Sequence, residues 1–289
     1  MGELMVFRRP VRQCCGALLG VGLLLAGCSG SGGGKAAGAK GPTGSTTSAD
    51  TRSSPTSSPD PSSTPNPSAT SSSSVFSFDP DPARLPKTRA QAVRLARAVT
   101  AEPVKWGPGF VKRDPYETDP GDWPVLDANC VWQRDSLPPT VLATLTRYSE
   151  LPAQDGKGPI RVSAVVTVHR TVTDAGWEMA GMLEEALRCP DQQLRQGERI
   201  TGLLSQGAAF GLMGNLTSED SLSEGGQYYS DELGGPHYYY WTQSRLGQVT
   251  VAVAGRGAKG RTEAEVSTAM SQAITQMLSD VETELGAAE

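Results

Sequence analysis

The chain has 289 residues, with 31 acidic against 26 basic side chains and a formal net charge of −5. The basic residues form no block, so the cationic footprint that nucleic acid binding requires is missing. There are only two histidines, His169 and His237, and neither has a neighbour at metal-ligand spacing, so neither a metal nor any other cofactor is expected.

The first element is an apolar run over 14–27 that follows Arg8, Arg9 and Arg12. It is too short to span a bilayer, which takes about 20 apolar residues, and it has the layout of a secretory signal peptide. Arg8 and Arg9 are followed by Pro10 and Val11, a poor fit to a twin-arginine motif, and the export route stays open. The run closes on Leu25-Ala26-Gly27-Cys28, which resembles the lipobox of bacterial lipoproteins. That resemblance implies cleavage of 1–27, diacylation of Cys28, and a location at the extracytoplasmic face of the cell membrane. Two acyl chains hold firmly, since each buried CH₂ contributes about 0.8 kcal/mol. Cleavage removes three basic residues and one acidic one, leaving 23 basic and 30 acidic groups, a charge of −7.

From 28 to 82 the chain is Ser, Thr, Pro, Gly and Ala with almost no large apolar residue, as in SSPTSSPDPSSTP at 53–65. Such a segment cannot bury enough surface to offset chain entropy, and a disordered tether is expected. As a flexible coil it would reach roughly 40 Å.

Residues 83–289 suit one folded domain. Thr88 with Gln91 reads as a capping box for a helix burying Ala92, Val93, Ala96 and Val99. From 103 to 124 Pro, Gly and Asp dominate, and an irregular segment pinned by Trp106, Phe110 and Trp123 is expected. Cys130 to Gln133 reads as a short strand, and Thr140 to Tyr148 as another. Between 160 and 169, Ile160, Val162, Ala164, Val166 and Val168 alternate with Arg161, Ser163, Thr167 and His169. That is the period of a half-buried strand, with Val165 the apolar break in its outer face.

Asp174 is expected to cap a helix whose apolar stripe is Trp177, Ala180, Leu183 and Leu187, stopped by Cys189-Pro190. Glu198 to Gln206 reads as a strand with Ile200, Gly202 and Leu204 on one side. The glycine-rich stretch 207–236 is weakly periodic and reads as mobile loops with at most one short strand. Tyr238 to Arg245 and Gln248 to Ala254 form a hairpin about Leu246-Gly247. Thr262 with Glu265 caps a last helix striped by Val266, Met270, Ala273, Met277 and Val281. The order gives an α+β fold, an antiparallel sheet with packed helices.

Of five cysteines, Cys14 and Cys15 leave with the signal peptide and Cys28 takes lipid, so Cys130 and Cys189 remain. In an oxidising compartment each has one possible partner, and a disulfide is expected. It would tie the helix end at Cys189 to the strand at Cys130.

Gly255-x-Gly257-x-x-Gly260 matches a dinucleotide fingerprint between strand and helix, yet no second parallel strand follows to complete the unit. It reads as a tight turn, beside which Arg256, Lys259 and Arg261 gather near a helix N-terminus where a weak anion contact is conceivable. Asn215-Leu216-Thr217 reads as a chance glycosylation pattern. Tyrosines cluster about the glycine-rich stretch. In a strand Tyr239 and Trp241 share one face, and Tyr238 and Tyr240 the other. A cleft lined by Phe210, Asn215, Tyr238, Tyr240 and Trp241 is the candidate ligand site, because exposed aromatics offer flat area at low entropy cost.

Cys130-Val131-Trp132, the helix ending Arg188-Cys189-Pro190 and the final strand pair and helix resemble the extracellular sensor domains of mycobacterial PknH-type receptor kinases. The resemblance implies an α+β domain with a ligand cleft. The expected role is non-catalytic binding or sensing of an unknown small ligand. The alternative is a structural lipoprotein that docks an envelope protein through a sheet edge.

Overall fold

The computed structural model describes residues 78–287. The segment expected to be a signal peptide, Cys28 and nearly all of the expected tether lie outside the described residues.

Among the described residues, ten strands and three α-helices follow in chain order. Helix α1 (Arg89–Val99) precedes β1 (Val111–Glu117), β2 (Asp122–Leu126), β3 (Trp132–Ser136), β4 (Val141–Leu151) and β5 (Ile160–His169). Helix α2 (Val172–Arg188) leads to β6 (Gln192–Arg195), β7 (Glu198–Ala209), β8 (Asp220–Ser230), β9 (Gly234–Leu246) and β10 (Val249–Arg256), and α3 (Glu263–Leu285) closes the fold. Eight strands form one antiparallel sheet in the order β1-β4-β5-β10-β9-β8-β7-β6, and β2 and β3 form a separate hairpin.

The two capping boxes are present. Thr88 Oγ1 accepts from Gln91 N, and Thr262 Oγ1 accepts from Glu265 N, with the Gln91 and Glu265 side chains reaching back to the cap amides. Helices α1 and α3 lie on one face of the sheet. Val162, Val166, Val251 and Val253 meet Ala92, Val99, Val266, Met270, Met277 and Val281 there in the main core. Gly255 permits the closest approach: a Cβ on it would lie 2.5 Å from Met270 Sδ and 2.6 Å from Val266 Cγ1.

The opposite face is not open to solvent. Strand β5 is buried on both sides, so Arg161, Ser163, Thr167 and His169 are inside the protein rather than on a wet surface. Helix α2 and the β2–β3 hairpin cover this face. Cys130 and Cys189 are bonded, with Cα atoms 5.6 Å apart. The bond joins the turn between β2 and β3 to the C-cap of α2. Beside it, Arg188 donates to the carbonyls of Asp127 and Leu126.

Five expectations are corrected. The segment 103–124 is not irregular throughout but carries β1 and the start of β2. Helix α2 begins after Thr171, whose hydroxyl accepts from Asp174 N, so Asp174 is inside the first turn. Its buried stripe is Ala175, Met179 and Ala186, while Trp177 and Leu187 are 72% and 75% exposed on the outer face. In β7 the register shifts between Thr201 and Leu204, at Gly202 with φ +62°, so Leu203 is buried and Leu204 exposed. The stretch 207–236 is mostly paired: β7 runs to Ala209, and β8 is hydrogen-bonded on both sides along its length. Its serines, glycines and glutamates carry little hydrophobic signal, but two flanking ladders satisfy its backbone.

The sheet's two borders are short or broken. Strand β1 carries Lys112, Arg113, Asp114 and Pro115 and slips register against β4. Strand β6 has four residues, and its outer side is bridged by Val131 to Gln193.

Candidate functional site

Between the sheet and its α2–hairpin cover lies a cavity of about 540 Å³. Alternation along the central strands builds its floor: Ser163, Val165 and Thr167 from β5, Thr250, Ala252, Ala254 and Arg256 from β10, and Tyr239, Trp241 and Gln243 from β9. Ala252 and Ala254 are small where the floor must recede. Trp123 and Trp132 come from the hairpin, Glu178 and Met182 from α2, and Leu194, Arg195 and Glu198 from β6 and β7. Trp132 is oriented by donating from Nε1 to Gln192 Oε1 at 2.8 Å.

One end of the cavity is rich in arginine. Arg161 on β5 stands directly opposite Arg256 on β10, a like-charge pair that is unfavourable unless counter-charged. Glu198, 5% exposed, supplies part of the counter-charge. It accepts from Arg195, lies 3.4 Å from Arg256 Nη1 and 3.6 Å from Arg161 Nη1. Arg161 Nη2 donates to Glu232 at 2.6 Å, and its Nε faces Glu150 at 3.9 Å. Arg113 Nε is 4.0 Å from Glu150. Burial, then the charges of Arg161, Arg195 and Arg256, push the Arg113 guanidinium below its ordinary value. Burial pushes the Glu198 carboxyl up, but the Arg195 hydrogen bond and the charges of Arg256 and Arg195 outweigh it and hold the carboxyl below the usual range.

The other end is polar and carries carboxylates. Glu178 Oε2 accepts from His169 Nε2 at 2.6 Å and from Thr250 Oγ1 at 2.7 Å. Gln243 Oε1 is buried and accepts no hydrogen bond among the described residues. Deeper under α2, burial raises the carboxyl of Glu224 to about 7. Burial likewise raises that of Glu185 to about 7, reinforced by Glu184, Glu224 and Glu178 against Arg188. Among the described residues no three His, Cys, Asp or Glu side chains group to hold a metal ion.

No family model and no curated protein matches this chain. Among solved structures, it is similar to the extracellular domain of PknH from Mycobacterium tuberculosis. The TM-score is 0.39 at 10% identity, covering 64% of this chain and 95% of that one. The likeness is weak. Among the described residues, no helix is long and apolar enough to cross a membrane.

The structure separates the five residues expected to line one cleft. Trp241 lines the cavity. Tyr238 and Tyr240 stack on each other at 6.2 Å on the opposite sheet face, against the core that includes α3. Phe210 and Asn215 sit in the β7–β8 connection. Asn215 donates from Nδ2 to Ala208 O and accepts from Ser218 on Oδ1, so its amide organises that turn. Arg256, Lys259 and Arg261 do not gather. Arg256 turns into the cavity, and Arg261 donates to the carbonyls of Gly158 and Pro152.

The residues missed from sequence are Arg113, Arg161, Arg195 and Glu198, while Arg256 is the member of the basic trio near α3 that meets the cavity. The signal for Arg161 was present in the polar half of β5, where it and Ser163 share a side with Thr167 and His169. Period-2 alternation marks two faces but does not say that both are covered.

Proposed function

We propose that this chain is a non-catalytic, lipid-anchored extracytoplasmic module that binds a small molecule in the cavity between the sheet, α2 and the hairpin. The observation that carries this reading is the cavity itself. At about 540 Å³ it falls within the roughly 300–1,000 Å³ of small-molecule sites, and it pairs apolar walls with a few convergent polar groups. The Cys130–Cys189 disulfide fits an oxidising compartment, as the Leu25-Ala26-Gly27-Cys28 segment requires. Both histidines have structural partners: His169 is paired with Glu178, and His237 Nε2 contacts Leu233 O at 2.8 Å. Neither is poised as a base beside a nucleophile, which supports a binding role over a hydrolytic one.

The test is native mass spectrometry of the full-length protein extracted from its own envelope, beside Ala252→Trp. The expected result is a bound mass that denaturation releases and that Ala252→Trp, which fills the floor, abolishes. A bound mass untouched by Ala252→Trp, or none at all in the parent, overturns the reading. A protein-docking role has its own supporting observation in the exposed Trp177 and Leu187 on the outer face of α2. It predicts that Trp177→Ser with Leu187→Ser releases an envelope protein from cross-linked complexes while leaving the cavity ligand in place.

A further inference from the structure

The cavity's floor and its two ends carry a more specific statement about the ligand, one that rests on the binding role proposed above. From Thr250 to Arg256 the floor follows β10 for six residue steps, about 20 Å at strand rise. The walls are not confined to that strand: β9, β5, the hairpin and α2 supply much of the rest of the lining.

At one end, four guanidiniums face three carboxylates, and one of those, Glu232, is exposed. Arg161 does not line the cavity and is 8% exposed, with Glu150, Glu198 and Glu232 facing it. Arg113 and Arg256 do line it, with their carboxylate partners 4.0 and 3.4 Å away, so an incoming anion meets guanidiniums that are loosely paired. Four strand residues away, level with Ala252, Gln243 is 2% exposed with its Oε1 unpartnered and its side chain lining the cavity. That acceptor lies about 14 Å along the floor from the Arg256 level. Trp241 and Ala254 lie between the two.

We infer that the ligand is an amphipathic acid, its carboxylate or phosphate head held at Arg113 and Arg256, its apolar chain lying across Ala254 and Trp241, and a hydroxyl on the chain donating to Gln243. The head is recognised by charge-assisted hydrogen bonds, and the body by burial. A free fatty acid and a monoalkyl phosphate present the same chemistry to the arginines and differ in the head's charge and oxygen count.

The experiment uses the chain from residue 28 onward with Cys28→Ser, so that it is soluble, and follows tryptophan fluorescence on titration. The probes are octadecanoate, 12-hydroxyoctadecanoate, octadecyl phosphate and methyl octadecanoate, each below its aggregation limit. The acids are expected to bind at least tenfold more tightly than the neutral ester. The hydroxy acid should exceed the plain acid severalfold, and the carboxylate and phosphate arms identify the head. Arg113→Gln, which removes a guanidinium with one distant ion pair, should narrow the acid–ester gap. Gln243→Leu should erase the advantage of the hydroxyl.

Equal binding of ester and acid overturns the anionic head yet leaves the cavity role standing. Equal binding of plain and hydroxy acids overturns the hydroxyl contact. If no probe binds while the envelope-extracted protein carries another mass, the ligand class is wrong and the binding role survives. Both probe comparisons are made on the parent sequence, so they hold even if a variant fails to fold.

Discussion

Glu224 offers a direct check on the electrostatics of the covered face. It sits on β8 opposite Ser205 of β7 and Trp241 of β9, with Glu185 of α2 among the charges around it. Burial raises its carboxyl from 4.5 to about 7. Between those two pH values the native protein holds a proton that the unfolded chain has released. Stability from this group is therefore complete below pH 4.5 and is lost as pH rises through 7. At 1.36 kcal/mol per unit, the shift corresponds to at most about 3 kcal/mol. Glu224→Gln keeps the shape and cannot ionise. It is expected to match the parent near pH 4.5 and to exceed it in stability at pH 8, by up to about 3 kcal/mol. Urea unfolding of both proteins at the two pH values measures the gap. Taking the difference between the two proteins cancels groups not coupled to Glu224, including the carboxyls of Glu198 and Glu232, which sit below the usual range, and leaves Glu185, whose raised carboxyl Glu224 reinforces. A gap that is the same at both pH values would refute the burial argument.

Other consequences are as concrete. Replacing Cys130 and Cys189 together by Ser frees a loop of 59 residues' separation and should lower unfolding free energy by about 4 kcal/mol in urea melts. Gly255→Ala puts a methyl group into Met270 and Val266, and overpacking of this kind costs about 1–3 kcal/mol, read as a fall in Tm. Glu198→Gln strips counter-charge from Arg161, Arg195 and Arg256. A loss of about 3–5 kcal/mol is expected without added anion, partly recovered in sulfate, and thermal melts with and without the salt decide it.

Local chemistry made much of this fold legible. Thr88-Gln91 and Thr262-Glu265 named two helix starts, because a capping side chain acts within one turn. The Val and Ile half of β5, the β9–β10 hairpin and the apolar stripe of α3 each carry a hydrophobic period, and the cysteine pair had one solution in an oxidising compartment. What failed was whatever depends on the other side of an element. Trp177 and Leu187 made α2 look apolar on the face it turns to solvent, while its inward stripe is Ala175, Met179 and Ala186. Strand β8 is held by ladders on both sides, a property of its neighbours rather than of its own residues. The cavity escaped notice because its floor is the polar half of otherwise well-read strands. Of the aromatic cluster, only the division of faces came through, and it put Trp241 in the cavity and Tyr238 and Tyr240 in the core.

The borders of the sheet bear on how copies of this chain meet. An open eight-stranded sheet usually presents two rows of free amides and carbonyls, each a template for another strand. Here one border is interrupted by Pro115 and flanked by alternating charge, and the other is four residues long and occupied by Val131. Neither can seed a growing backbone ladder. Copies of this domain crowded side by side would therefore touch at these two borders through side chains alone and stay separable, with neither border open to intermolecular cross-β pairing.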